Sequence, residues 1–320
     1  MELKVQLAGD LGFAPRLVRI LNSLGDADCN HHHYALRHPA NIFHSVMLEV
    51  AENFQKLLGV IVPLEQTTTS ETNLNYESLQ IYKELLASFA RYTDCAYEVI
   101  LALCDKRPIA DGDRKDLYKW LKNNGFKSTS VFYGIVKSEI RFFRDINNTL
   151  KHSSNALRAV TVLINSRPCL GYFVESASTD GTVGPSRDFH KAVNGQFPAN
   201  SFNRDLRLLY RHIYLVADAL RRAVVLHYKS LHNQDPPQDS TSRYDDSFLR
   251  DLFNGVASLP SVFYPKEAGK PVPIAAIKQN SDGAIMIFSD TKAAAPAQRN
   301  FTTSAGTVLT KDGKFQVPLP

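Results

Sequence analysis

The chain has 320 residues, of which 44% are hydrophobic and 22% charged, so it can bury a sizeable core and is not globally disordered. Its net charge of +5 tolerates an anionic partner but, spread over the whole length, does not select one. Charges at Glu2, Lys4, Asp10, Arg16 and Arg19 interrupt the first twenty residues, which excludes a secretory signal there, and no uncharged run approaches the ~18 residues of a membrane-spanning helix.

A cytoplasmic protein without membrane contact is therefore the expectation. Cys29, Cys95, Cys104 and Cys169 show no CxxC pairing and read as reduced, small apolar side chains.

In chain order, the first forty residues give no clear period and run into Cys29-Asn30-His31-His32-His33-Tyr34. Pro39 opens a helix whose apolar positions Ile42, Val46, Val50, Phe54 and Leu57 recur every three to four residues, with Gly59 as its expected end. A threonine-rich loop is expected over 63–75, then a long helix over about 74–103 with Leu79, Tyr82, Leu86, Phe89, Tyr92, Ala96, Val99 and Leu103 inward. A short helix from Asp113 carries Leu117, Trp120 and Leu121 and stops at Gly125.

The next helix, about 131–152, is expected to be capped by Ser128 or Ser130. One face holds Phe132, Ile135, Ile140, Phe143, Ile146 and Leu150; the other holds Lys137, Arg141, Arg144, Asp145, Asn148, Lys151 and His152. The period then changes to two. Runs at 159–164 and 169–175 around Asn165-Ser166-Arg167-Pro168 predict a β-hairpin. A last long helix starts near Ser201 and reaches His232, and Asn233 to Ser242 reads as a linker. Beyond it come a short amphipathic helix around Phe248 and Leu252 and two hairpin signals, at Ser281-Asp282-Gly283 and Lys311-Asp312-Gly313, separated by a Pro/Ala/Lys stretch over 291–298.

The run Phe142-Phe143-Arg144-Asp145-Ile146-Asn147-Asn148-Thr149-Leu150-Lys151-His152-Ser153 resembles the end of the signature helix in HEPN-like proteins, and the resemblance extends over roughly residues 40 to 230. It implies a mainly α fold: a HEPN-like helical bundle over 1–232 with a β-hairpin inserted at about 159–176, a linker at 233–242, and a short helix plus a small β-containing tail over 243–320. It further implies a homodimer, with two His-bearing helices meeting in a basic cleft, and metal-independent attack of an RNA 2′-hydroxyl on phosphorus, as in ribonuclease toxins and anti-phage effectors. In that chemistry His152 moves the proton, Asn148 orients it, and Lys151 with Arg144 or the RNA-binding Arg141 holds the phosphoryl oxygens.

Helix geometry bears on that assignment. At ~100° per residue His152 lies ~40° from Asn148 and ~20° from both Asp145 and Arg141, so these four share a stripe, while Lys151 is turned ~100° aside. The seven residues between Arg144 and His152, and the acid at Asp145, favour an alternative: a non-catalytic module that binds RNA, a nucleotide or a protein partner, the last through the 243–320 segment. The bland reading is that His152 and Lys151 simply close the helix against its dipole.

Other clusters are weaker. Arg204, Arg207 and Arg211 fall on one helix face and could form a wall for RNA phosphates; a solvated face offset by Asp205 and Asp218 is the simpler alternative. His190 could face the same cleft. His31, His32, His33, His38 and His44 are dense, but adjacent histidines diverge and no carboxylate stands at a ligand-like spacing, so no metal is expected. No Walker loop, GxGxxG, GxSxG or HExxH occurs, and no cofactor is expected.

Overall fold

The computed structural model describes every residue except 1, 10–11, 67–75, 154, 165–166, 180, 193–196, 238–243, 282, 295–301 and 306–320; the side chains at 76–77, 280 and 302–305 also lie outside the description. The hairpin signal at 311–313, the hairpin turn at 165–166, the second half of the 291–298 stretch and the second half of the proposed linker fall outside the described residues.

Four long helices carry the core: α2 (Pro39–Gln66), α3 (Tyr76–Leu103), α6 (Lys127–His152) and α7 (Phe202–His232). The shorter α1 (Arg16–Ser23), α4 (Asp111–Arg114), α5 (Leu117–Asn123) and α8 (Ser247–Ser258) pack around them. Among the pairs in contact are α2 with α3, α3 with α6 and with α7, and α6 with α7. The apolar stripes explain this, since Phe43, Phe54, Leu86, Tyr92, Phe132, Phe143, Leu209 and Ile213 are all buried. No helix among the described residues is long and apolar enough to cross a membrane.

Helix ends differ from the sequence reading in instructive ways. The second helix runs through Gly59 and Pro63 to Gln66. A tertiary tie rewards that last turn, because Glu65 accepts from the backbone N–H of Leu170 (2.6 Å) and from Asn203 Nδ2 (2.6 Å). Ser128 does not cap α6; it is buried, 3.4 Å from His227 Nδ1. Ser201 does cap α7, accepting from the Arg204 N–H, and Asn233 ends that helix in the left-handed region at φ 54°.

The expectation of a mainly α helical bundle with an inserted hairpin is overturned, because two antiparallel sheets are built into the body. The hairpin β2 (Ala156–Ile164) and β3 (Arg167–Ala177) is the centre of the larger one. Strand β8 (Thr302–Ala305) pairs with β2, while β4 (Val183–Pro185) and β5 (Asn200–Ser201) pair with β3. The second sheet has the order β1-β7-β6, in which β1 (Leu3–Gln6) joins β7 (Gly283–Lys292) beside β6 (Pro271–Asn280). Segments from opposite ends of the sequence thus complete each other's hydrogen bonding, as edge strands require. The region after the linker is not an appendage: Leu249, Leu252 and Val256 of α8 are buried, α8 contacts α2, and Phe248 O accepts from Gln55.

The seam between β3 and the start of α7 is polar and closed. Tyr82 donates to Tyr172 (2.9 Å) and Tyr172 to Asp205 (2.7 Å), all three buried. Glu267, also buried, accepts from the Ser201 hydroxyl (2.5 Å), the Ser201 N–H (3.1 Å) and the Tyr264 N–H (3.0 Å). Gly171 allows this closeness: a Cβ there would run into the Asn200 carbonyl and the Tyr264 hydroxyl.

Candidate nucleic-acid interface

Helix α6 carries the His-bearing motif. Its outer stripe is real: Arg141, Asp145, Asn148, Lys151 and His152 are all exposed. The charges on it are largely spent on neighbours. Arg144 reaches Asp94 across to α3 (2.9 Å), and Arg141 reaches Asp145 one turn on (3.3 Å). Asn148, Lys151 and His152 sit at the open C-terminal end, where no acid, base or second histidine is assembled around His152 among the described residues.

Arg204, Arg207 and Arg211 do share a face of α7, and that face turns inward. Arg207 is 7% exposed and donates to the Leu259 carbonyl (2.6 Å). Arg211, equally buried, meets Glu139 (3.3 Å), and Arg204 donates to the Pro271 carbonyl (3.2 Å). Burial pushes the Arg207 proton affinity down. His190 is buried as well. It accepts the Val174 N–H at Nε2 (2.9 Å), so Nδ1 carries the proton and donates to the Pro198 carbonyl (2.8 Å); burial lowers its pKa to about 4. It is a neutral structural imidazole.

Two clefts flank α6. The larger, about 590 Å3, lies toward α7, with Glu139, Phe142, Phe189, Arg204, His212 and Lys270 among its walls. Lys191, Arg204 and Lys270 face it together with the acids Glu139 and Asp188, and Glu139 is paired with Arg211 and His212. His212 and Arg211 hold Glu139 below the usual carboxylate range, and burial lowers His212.

The other cleft, about 330 Å3, lies between α5 and α6. Its walls are Tyr97, Tyr118 and Tyr133 with Lys137, Arg141 and Arg144, and two acids, Asp116 and Asp145. The Tyr118 and Tyr133 rings lie 4.4 Å apart and half-buried. Each carries a lysine one helical turn along: Lys122 Nζ stands 5.9 Å from the Tyr118 ring centre and Lys137 Nζ 5.3 Å from that of Tyr133. Both lysines are exposed, so their charge remains available to an outside anion. Flat aromatic surface beside exposed cations suits a ligand made of bases and phosphates.

Sequence reading missed the tyrosines, although a signal existed. Tyr118/Lys122 and Tyr133/Lys137 are both i, i+4 pairs. Residues 106–151 also hold eleven lysines and arginines against five acids, a local excess larger than the +5 of the whole chain. Charge that looks diffuse over the full length is concentrated on α4–α6.

No protein-family model matches the chain, and neither a curated protein nor a solved structure is detectably similar to it.

Proposed function

We propose that this protein binds single-stranded RNA on the α5–α6 face and does so without cutting it. The observation that carries this reading is the Tyr118–Tyr133 pair with a lysine over each ring and Arg141 and Arg144 alongside. Bases stack on the aromatic surface and phosphates engage Lys122 and Lys137. The resemblance of the segment ending at Lys151-His152 to HEPN-like helices favours RNA over other anions. The exposed, unsupported position of His152 favours binding over catalysis, since a general acid or base needs neighbours that orient it. A homodimer that pairs two α6 helices would bring two such faces together and lengthen the track.

The test is fluorescence anisotropy with a labelled single-stranded RNA and the full chain. Tyr133→Ala and Lys137→Glu are each expected to weaken binding, by roughly 5- to 100-fold for loss of one stacked base. Binding that is absent, or unchanged in both variants, overturns the reading. Incubation of RNA in excess EDTA separates it from the nuclease alternative: no cleavage is expected, whereas cleavage by the wild type that disappears in His152→Ala replaces binding with catalysis.

A further inference from the structure

The turn between α1 and α2 and the first turns of α2 concentrate five histidines and two aspartates between residues 26 and 44. Three of the histidines are committed. His33 Nε2 lies 3.3 Å from the Arg107 carbonyl, and His44 Nδ1 lies 2.5 Å from the Tyr244 hydroxyl. His38 uses both nitrogens, Nε2 toward the Leu24 carbonyl (3.2 Å) and Nδ1 toward the Ala40 N–H (3.2 Å).

His31 and His32 remain, with their rings 4.0 Å apart. Asp26, from the single 3-10 turn over Asp26–Asp28, brings its Oδ1 to 3.8 Å from His31 Nε2. One ligand-capable atom from each of these three residues lies within 4.8 Å of the other two. His31 is only 4% exposed, and its Nδ1 makes no hydrogen bond among the described residues.

The backbone beneath is held independently of any ion. Asn30 donates its N–H to the Ala102 carbonyl (2.6 Å) and its side-chain amide to the Cys104 carbonyl (2.8 Å). The Leu36 N–H donates to the His31 carbonyl (2.9 Å), and the Gly25 N–H donates to Asp28 (2.8 Å). The histidines therefore stand on a turn pinned to the end of α3.

The geometry points to a transition-metal site of the zinc class on Asp26, His31 and His32, with water in the fourth position. Two imidazoles and one carboxylate are a borderline donor set that suits Zn2+ and its neighbours, whereas Mg2+ and Ca2+ prefer oxygen alone. A tetrahedral ion with bonds of about 2.0–2.1 Å spaces its ligand atoms by roughly 3.4 Å. Asp26 and His32 are exposed and can close the remaining ångström or so by rotating, against a His31 fixed by burial. The site lies on a different part of the chain from the tyrosine cleft and is independent of the RNA-binding proposal.

The test is calorimetric titration of the tag-free, EDTA-stripped full chain with ZnCl2, repeated with Co2+ to read the ligand field by absorption. One ion per chain is expected, with tetrahedral Co2+ bands and no response to Mg2+. Asp26→Asn combined with His32→Ala should weaken binding by more than about 100-fold, the upper end of what loss of one outer partner costs. No binding by the wild type, octahedral Co2+ spectra, or undiminished affinity in the double variant overturns the assignment. The Co2+ spectrum decides it even where the double variant fails to fold.

Discussion

The same residue types occupy two regions of this molecule and behave oppositely. Around β3 and α7, Glu65, Asp205, Glu267, Arg207 and Arg211 are buried and bonded to backbone or to neighbouring side chains. On the α5–α6 face, Lys122, Lys137, Arg141 and Asp145 are exposed and meet at most a neighbour one turn away. The seam spends its charge on holding sheet to helix; the face pairs its arginines with nearby acids and leaves Lys122 and Lys137 for a partner. A row of arginines on a helix wheel therefore says little until it is known which way the row points.

Substitutions should separate the two regions cleanly. The largest effect is expected from Glu267→Ala, which strands the Ser201 and Tyr264 N–H groups in the interior at roughly 1–3 kcal/mol each and should appear as a shift in denaturant midpoint with an unchanged slope. A loss under about 1 kcal/mol would mean the seam is wetter than the geometry implies.

The pH dependence of stability comes next. Burial raises Glu65 to about 8 and Glu267 to about 7, both from a usual 4.5. Between pH 4.5 and about 8 the folded chain therefore binds more protons than the unfolded one. The contribution of these carboxyls is complete below pH 4.5 and is lost as pH rises through 7 to 8. Chemical denaturation at pH 5, 7 and 9 should show this decline, and Glu65→Gln should flatten it; an unchanged slope in that variant would remove Glu65 from the account.

On the outer face the readout changes from stability to binding. Raising salt from 50 to 200 mM should weaken RNA binding along a linear log–log plot, and Lys137→Ala should lower that slope by about 0.7, the value for one phosphate contact to a single strand. A salt-independent affinity would make the tyrosines, not the lysines, the dominant grip. The smallest effect is expected from Arg141→Ala on thermal stability, within about 0.5 kcal/mol, because its partner Asp145 is exposed on the same helix. A larger loss would show that the outer face also holds the fold together.

The sequence by itself determined the local elements. Apolar spacing marks the long helices, Pro39 and Ser201 mark two of their starts, and the switch to alternation after Ser153 marks the β2–β3 hairpin. These signals are legible because helix and strand periods are properties of consecutive residues. The stripe joining Arg141, Asp145, Asn148 and His152 was readable for the same reason.

Tertiary structure alone decided the rest. The pairing of β1 with β7 joins residues from opposite ends of the sequence, as Leu3 with Phe288, and no periodicity announces a partner at that distance. The inward turn of Arg207 and Arg211 depends on Leu259 and Glu139 being there to receive them. Asp26 becomes a neighbour of His31 and His32 only because the turn folds back against α3. Register and burial follow from which surfaces must leave water together, and that choice is made by the whole chain at once.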